Sequence, residues 1–232
     1  MTAGPFTHEG FACIPEGWFH MGGDDGPDEE RPAHRVWIAA FDLAVYPVTC
    51  REYGLFLEAS GHDAPRDWAT FSTIPDRPVV GVSWFDSQAY CRWRASEGAP
   101  VRLPTEAEWE RAARGGVDGL RYPWGDTIPS WIPNGGRGPL EAPWPVTLGE
   151  PNPYGLFGIA ANVHEWCEDW YASGYDTAVT HQPAGPATGV RRASRGGSWR
   201  HAVTLSRCAA RSRLDPSFRY TDYGFRVARS AT

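Results

Sequence analysis

The sequence predicts an α+β domain with much irregular backbone, on three observations. Helix-capping signals cluster between Thr49 and Gly116. Beyond residue 116 regular periodicity fades, and Pro/Gly-rich segments fill 117–153 and 173–190. No internal repeat and no Gly/Ser linker divides the chain, so a repeating βαβ array is not expected. The reading is a single domain over residues 11–232, with an N-terminal extension over residues 1–10.

The elements follow in chain order. Phe11-Ala-Cys-Ile-Pro and Trp18-Phe-His-Met are short apolar runs that read as strands. Gly22-Gly-Asp-Asp-Gly-Pro is turn chemistry, and His34-Arg-Val-Trp-Ile reads as the returning strand. The acidic run from Asp24 to Glu30 lacks EF-hand spacing, so it reads as a solvated loop. Thr49 caps a first helix that runs to about Ser60 and stops at Gly61. Ser83 caps a second, answered by Asp86, with Phe85, Ala89 and Trp93 as its apolar stripe. Thr105-Glu-Ala-Glu108 is a capping box for a third, with Trp109, Ala112 and Ala113 buried and Gly115-Gly116 ending it. Tyr154–Tyr171 separates the two loop segments, and 194–227 mixes strand-like pieces with loops. Loops this long in a compact domain usually carry ligands.

Composition removes several chemistries. The 232 residues include 22 Lys+Arg, and every one of these is Arg. Without lysine there is no Schiff-base catalysis and no Walker-A nucleotide site. The net charge of −6 argues against general nucleic-acid binding. The N-terminus lacks a basic region and an apolar run, and no apolar stretch suits a membrane span. Five scattered cysteines without a C-x-x-C pair suggest reduced, cytoplasmic usage.

Two segments are candidates for chemistry. His164 and Glu165 stand in Asn162-Val-His-Glu-Trp-Cys-Glu-Asp-Trp170, as an acid–base or metal pair or as a His bonding locally in a Trp-rich turn. Ser194-Arg-Gly-Gly-Ser-Trp-Arg-His201 is the other, where paired glycines let Ser198 and His201 face one pocket, or simply form a tight turn. The arginines at 207, 211, 213, 219 and 226 are surface charges or carboxylate clamps. Arg226 lies in an apolar run, which reads as structural and demands a buried carboxylate.

Together these segments resemble the formylglycine-generating enzyme family, the sulfatase-modifying factors. Nine matching segments occur in family order. They are Ile14-Pro-Glu-Gly-Trp-Phe-His-Met-Gly-Gly, Glu30-Arg-Pro-Ala-His, Pro47-Val-Thr-Cys-Arg-Glu-Tyr, Pro78-Val-Val-Gly-Val-Ser-Trp, Arg102-Leu-Pro-Thr-Glu-Ala-Glu-Trp-Glu-Arg-Ala-Ala-Arg, Tyr122-Pro-Trp-Gly-Asp, Pro151-Asn-Pro-Tyr-Gly-Leu, Arg195-Gly-Gly-Ser-Trp and Gly224-Phe-Arg. The resemblance implies a C-type-lectin-like α+β fold.

It also implies where an oxidase site would lie. Active family members hold copper and substrate with a cysteine pair after the Gly-Gly-Ser segment. Here the first position falls on His201 and the second near Val203, while Cys208 matches a structural cysteine. Formylglycine formation by that route is therefore not expected. Ser198 matches a serine lining the family site, and His164 falls where the oxidases carry tryptophan. The resemblance thus points to His164, Ser198 and His201 as catalytic or binding residues. His164 and His201 are candidate ligands for copper or iron, with Glu165, Cys208 or Asp222 as a third. Arg200, Arg207 and Arg211 are candidate ligand-binding arginines. Structural calcium is the remaining cofactor, with Glu165 as its carboxylate, Ala161 and Val163 as carbonyls, and Gly158 where the family has an amide.

Two functions follow. The first is a binding or accessory protein without cysteine oxidase activity, whose inherited cleft takes a small molecule, peptide or protein. The alternative is a divergent metal-dependent oxidoreductase using His164 and His201.

Overall fold

The computed structural model describes residues 7, 8 and 10–231. The expected N-terminal extension lies largely outside these residues; of it, Thr7–His8 forms strand β1. The next strands are β2 (Phe11–Ile14), β3 (Gly17–Met21), β4 (His34–Ile38) and β5 (Phe41–Ala44). Four helices follow: α1 (Cys50–Ser60), α2 (Trp68–Phe71), α3 (Trp84–Ser96) and α4 (Glu106–Ala113). After a long irregular stretch come β6 (His164–Trp170), β7 (Arg192–Arg195), β8 (Arg211–Leu214), β9 (Tyr223–Gly224) and β10 (Ala228–Ser230).

The strands form two four-stranded sheets and a two-stranded ribbon. The first sheet runs β1-β2-β5-β10, so strands from both ends of the chain lie in one sheet. The ribbon is β3 with β4, joined by the Gly-rich acidic loop. The second sheet runs β8-β7-β6-β9, with β9 parallel to β6. Strand β6, where the sequence leaves a Trp-rich turn open, is an interior strand. Its first four residues are all buried, as befits a strand covered on both faces.

The three expected helices form with their caps. Thr49, Ser83 and Thr105 each accept the amide three residues on, and Glu52, Asp86 and Glu108 each return a bond. Gly61 ends α1 with a φ of 66°. The buried face of α3 differs from expectation. Phe85 is 52% exposed, while Trp84, Ser87, Tyr90 and Cys91 face inward. Ala89 and Trp93 do pack against the core, so of the expected stripe Phe85 alone turns outward, and Trp84 takes its place with its indole donating to the Cys167 carbonyl at 2.9 Å. Helix α2 has no counterpart in the sequence expectation; it is four residues long and has no side-chain cap.

Helix α4 is the pivot of the core, with all eight residues buried. Charged side chains are rarely buried unless paired, and these are paired. Glu108 takes Arg102 through both oxygens at 2.7 Å. Glu110 takes Arg114 and Arg195. Glu106 takes Arg211 at 2.7 Å and Arg195 at 3.4 Å. The helix therefore joins the β3–β4 ribbon to the second sheet through ions as well as Trp109.

Candidate functional site

The site starts from strand register. Parallel pairing of β6 with β9 sets His164 opposite Tyr223, and the His164 amide donates to the Asp222 carbonyl at 3.0 Å. Residues far apart in sequence are thereby held side by side. The Tyr223 ring stacks on the imidazole with centroids 4.7 Å apart.

Ser198 and His201 arrive on the turn after β7. Gly196 has a φ of +79°, and a Cβ there would lie 2.9 Å from the Ala160 Cα. A Cβ on Gly197 would collide with the Ser206 hydroxyl. Only glycine fits this approach. The turn is then sewn down: the Gly197 amide donates to Ala160 at 2.7 Å, Trp199 to Asn162 at 2.9 Å, and His201 to Ser198 at 2.9 Å.

Four side chains converge. Donor atoms of His164, His201 and Asp222 all lie within 4.8 Å of one another. The two imidazole centroids are 5.4 Å apart. The Ser198 hydroxyl donates to Asp222 Oδ2 at 2.9 Å, and His201 Nε2 stands 3.4 Å from the same oxygen. Ser198 and His164 are buried, Asp222 lies at the edge, and the His201 side chain is exposed, so the cluster opens to solvent on the His201 side.

Burial pushes His164 down to about 4, against the pull of Asp222 and with His201 adding to the push. Its imidazole is neutral near pH 7. Burial opposes ionisation of Asp222, but His201, His164 and Ser198 together hold it below the usual carboxylate range. His164 Nδ1 is buried without a hydrogen-bond partner, as are the Trp199 indole nitrogen and the Ser206 hydroxyl. The Gly196 backbone also favours the charged form of the His164 ring, but more weakly than burial opposes it.

The other expected site residues divide. Arg200 stays beside the cluster, exposed, with Nη1 donating to Thr221 at 2.7 Å. Arg207 and Arg211 do not join it. Arg207 forks onto Glu30 at 2.5 and 2.8 Å, and Arg211 forks onto Glu106 at 2.9 and 2.7 Å. These guanidiniums are committed to internal carboxylates and stand apart from the histidine cluster; Arg211 borders a separate cavity. Of the three candidate third partners, Asp222 is the one beside the histidines. Cys208 is fully buried elsewhere in the core.

Calcium does not fit at Glu165. Its carboxylate accepts Arg226 at 2.9 Å through each oxygen and Trp109 at 2.7 Å, all fully buried. The charge a calcium ion would need is already neutralised. This pair also supplies the carboxylate that Arg226 demands. A copper(I) site of two thiolates does not fit the cluster either, since it contains no cysteine. Two cavities lie apart from it. One of about 450 Å³ is bounded by Trp124, Trp131 and Pro153, and one of about 230 Å³ by Glu106, Asp169 and Arg211. Sequence reasoning misses Tyr223, whose role depends on a parallel pairing that no local pattern announces.

Comparison with known proteins agrees with this architecture. The sequence model of the sulfatase-modifying factor enzyme 1-like domain matches residues 2–231. The formylglycine-generating enzyme of Thermomonospora curvata is 33% identical over 287 residues, covering 95% of this chain and 93% of that protein. The serine/threonine-protein kinase pkn1 of Chlamydia caviae is 37% identical over 239 residues. That match covers 93% of this chain, which spans only 37% of the kinase's length. Among solved structures, PvdO from Pseudomonas aeruginosa superposes with a TM-score of 0.80 at 27% identity, covering 95% of this chain and 94% of that one. The irregular α+β architecture is thus the C-type-lectin-like fold of these proteins, and the chain belongs to the formylglycine-generating enzyme, or sulfatase-modifying factor, family.

Proposed function

We propose that this chain is a binding or accessory member of its family, without the usual cysteine oxidase activity, whose ligand sits over His164, Ser198 and His201. One observation carries this reading. The first position where the family resemblance expects a copper-binding cysteine falls on His201 and the second near the buried Val203, where the chain has no cysteine. No other thiol substitutes for them. Burial pushes Cys50, Cys91 and Cys208 up to about 12, and Cys167 well above its ordinary value, so they stay protonated. Cys13 is exposed but lies on β2, in the other sheet. Soft thiolates suit Cu(I), and imidazole and hydroxyl do not replace them.

The ligand class is a small molecule or a peptide or protein segment, and exposed Arg200 favours one with an acidic group. A similar region within a chlamydial protein named as a kinase supports use of the fold as a module beside another activity. No described helix is long and apolar enough to cross a membrane. Five free cysteines support a reducing, cytoplasmic setting.

The test has two arms. Purified protein loaded with copper is incubated with a cysteine-containing peptide in air and read by mass spectrometry. No aldehyde product is expected, and turnover would overturn the reading. A library of peptides and small molecules is also screened by ligand-observed NMR. Hits should be lost with His201→Ala; hits indifferent to that change would move the binding site elsewhere.

A further inference from the structure

We propose that His164, His201 and Asp222 bind one divalent first-row transition ion, with Ser198 as the residue that positions the carboxylate. This rests on the cluster being a binding site and names what it binds first.

The argument begins with the donor set. Two imidazoles and one carboxylate suit borderline ions such as zinc or iron(II), and three protein ligands with an open position are typical of reactive rather than purely structural sites. Their donor atoms already lie within 4.8 Å of one another. Ligands about 2.1 Å from a tetrahedral ion stand roughly 3.4 Å apart. His201 and Asp222 already stand 3.4 Å apart. The remaining closure asks for a small swing of His201, whose side chain is 43% exposed and so has room to move.

The surroundings are also those of a metal site. Burial keeps the His164 imidazole neutral near pH 7, the form in which a ring nitrogen can ligate an ion. Tyr223 fixes the imidazole plane by stacking at 4.7 Å. The Ser198 hydroxyl donates to Asp222 Oδ2 at 2.9 Å, the kind of outer contact that orients a ligating carboxylate. The open side faces solvent next to Arg200, where an anionic second ligand would meet both the ion and the guanidinium. No described carboxylate elsewhere in the chain groups with two histidines in this way.

The experiment uses the untagged full chain, stripped with a chelator and titrated with Zn(II) or Co(II) alone. Calorimetry should give one ion per chain. The Co(II) complex should show visible bands of nitrogen and oxygen ligation and no sulfur charge-transfer band. His201→Ala, an exposed change that leaves the core intact, and Asp222→Asn should each weaken binding by more than about tenfold, and Ser198→Ala by about tenfold. Absence of a stoichiometric ion overturns the proposal. So does unchanged affinity in both ligand variants, or a sulfur band abolished by Cys13→Ser. Peptide turnover with copper would sink the binding-protein reading and leave this titration untouched. Library hits that still depend on His201 without any bound ion would sink the metal site alone.

Discussion

The two faces of β6 treat adjacent polar residues in opposite ways. His164 and Glu165 are neighbours in sequence, and both are buried. Strand alternation sends them to opposite sides. Glu165 enters the core beneath α4, where Trp109 and the Arg226 fork saturate its carboxylate. Arg226 is saturated in turn, with its remaining donors on the carbonyls of Ala44, Val45 and Phe157. His164 enters the cluster, where its Nδ1 has no partner. Burial therefore does not distinguish the two residues; what differs is the company, an arginine fork and an indole for Glu165 and the His201–Asp222 cluster for His164.

The largest expected effect tests the saturated face. Glu165→Ala leaves Arg226 buried and unpaired, which should cost about 3–5 kcal/mol in urea unfolding. Replacing both partners by apolar residues should recover part of that loss. A cost below about 1 kcal/mol would show that the pair is not the core fixture its geometry describes.

The next effect belongs to the unsaturated face and has a definite sign. The His164 value falls from 6.5 unfolded to about 4 folded, because burial opposes the charge. Between those values the unfolded chain binds more protons, so stability falls as pH falls through that window. The loss amounts to about 3 kcal/mol when complete, since each tenfold drop in proton affinity is worth about 1.4 kcal/mol. In metal-free protein, unfolding free energies for His164→Gln should lack this acid limb between about pH 6.5 and 4. An unchanged limb would assign it to other groups.

The smallest effect has the opposite sign and comes from the far end of the same strand. Asp169 is pushed up to about 8 by burial and by the Glu106 carboxylate beside it. Burial opposes Glu106 too, but Arg211 and Arg195 hold it below its ordinary value. Asp169 is therefore the member that keeps the proton. Its contribution to stability is present below about pH 3.8 and is lost as pH rises towards 8. The Asp169→Asn variant cannot ionise and keeps an oxygen for the Glu106 amide, so it should gain stability relative to the parent as pH rises towards 8. Thermal denaturation at pH 6 and pH 8 checks this, and a variant that loses stability at both would refute it.

Much of the fold is legible in the sequence because some signals are local. The capping boxes at Thr49, Ser83 and Thr105 need only four consecutive residues, and each forms. The turn at Gly196-Gly197 is legible for the same reason. The first turn of α3 departs from the expected stripe, with Trp84 inside and Phe85 outside, where the Trp84 indole meets the distant Cys167 carbonyl. Arg207 and Arg211 defeat a sequence reading because an arginine does not show which carboxylate it meets. Arg226 announces its need for a buried carboxylate by its apolar neighbours, although nothing in its own segment identifies Glu165.

The sequence by itself determined the caps, the family resemblance, and the absence of lysine and of the cysteine pair, all of which depend on residue identity and short spacing. Only the tertiary structure decided that Asp222, rather than Glu165 or Cys208, stands with the two histidines. The reason is register: the parallel pairing of β6 with β9 brings residue 222 to residue 164, while strand alternation turns residue 165 away towards Arg226.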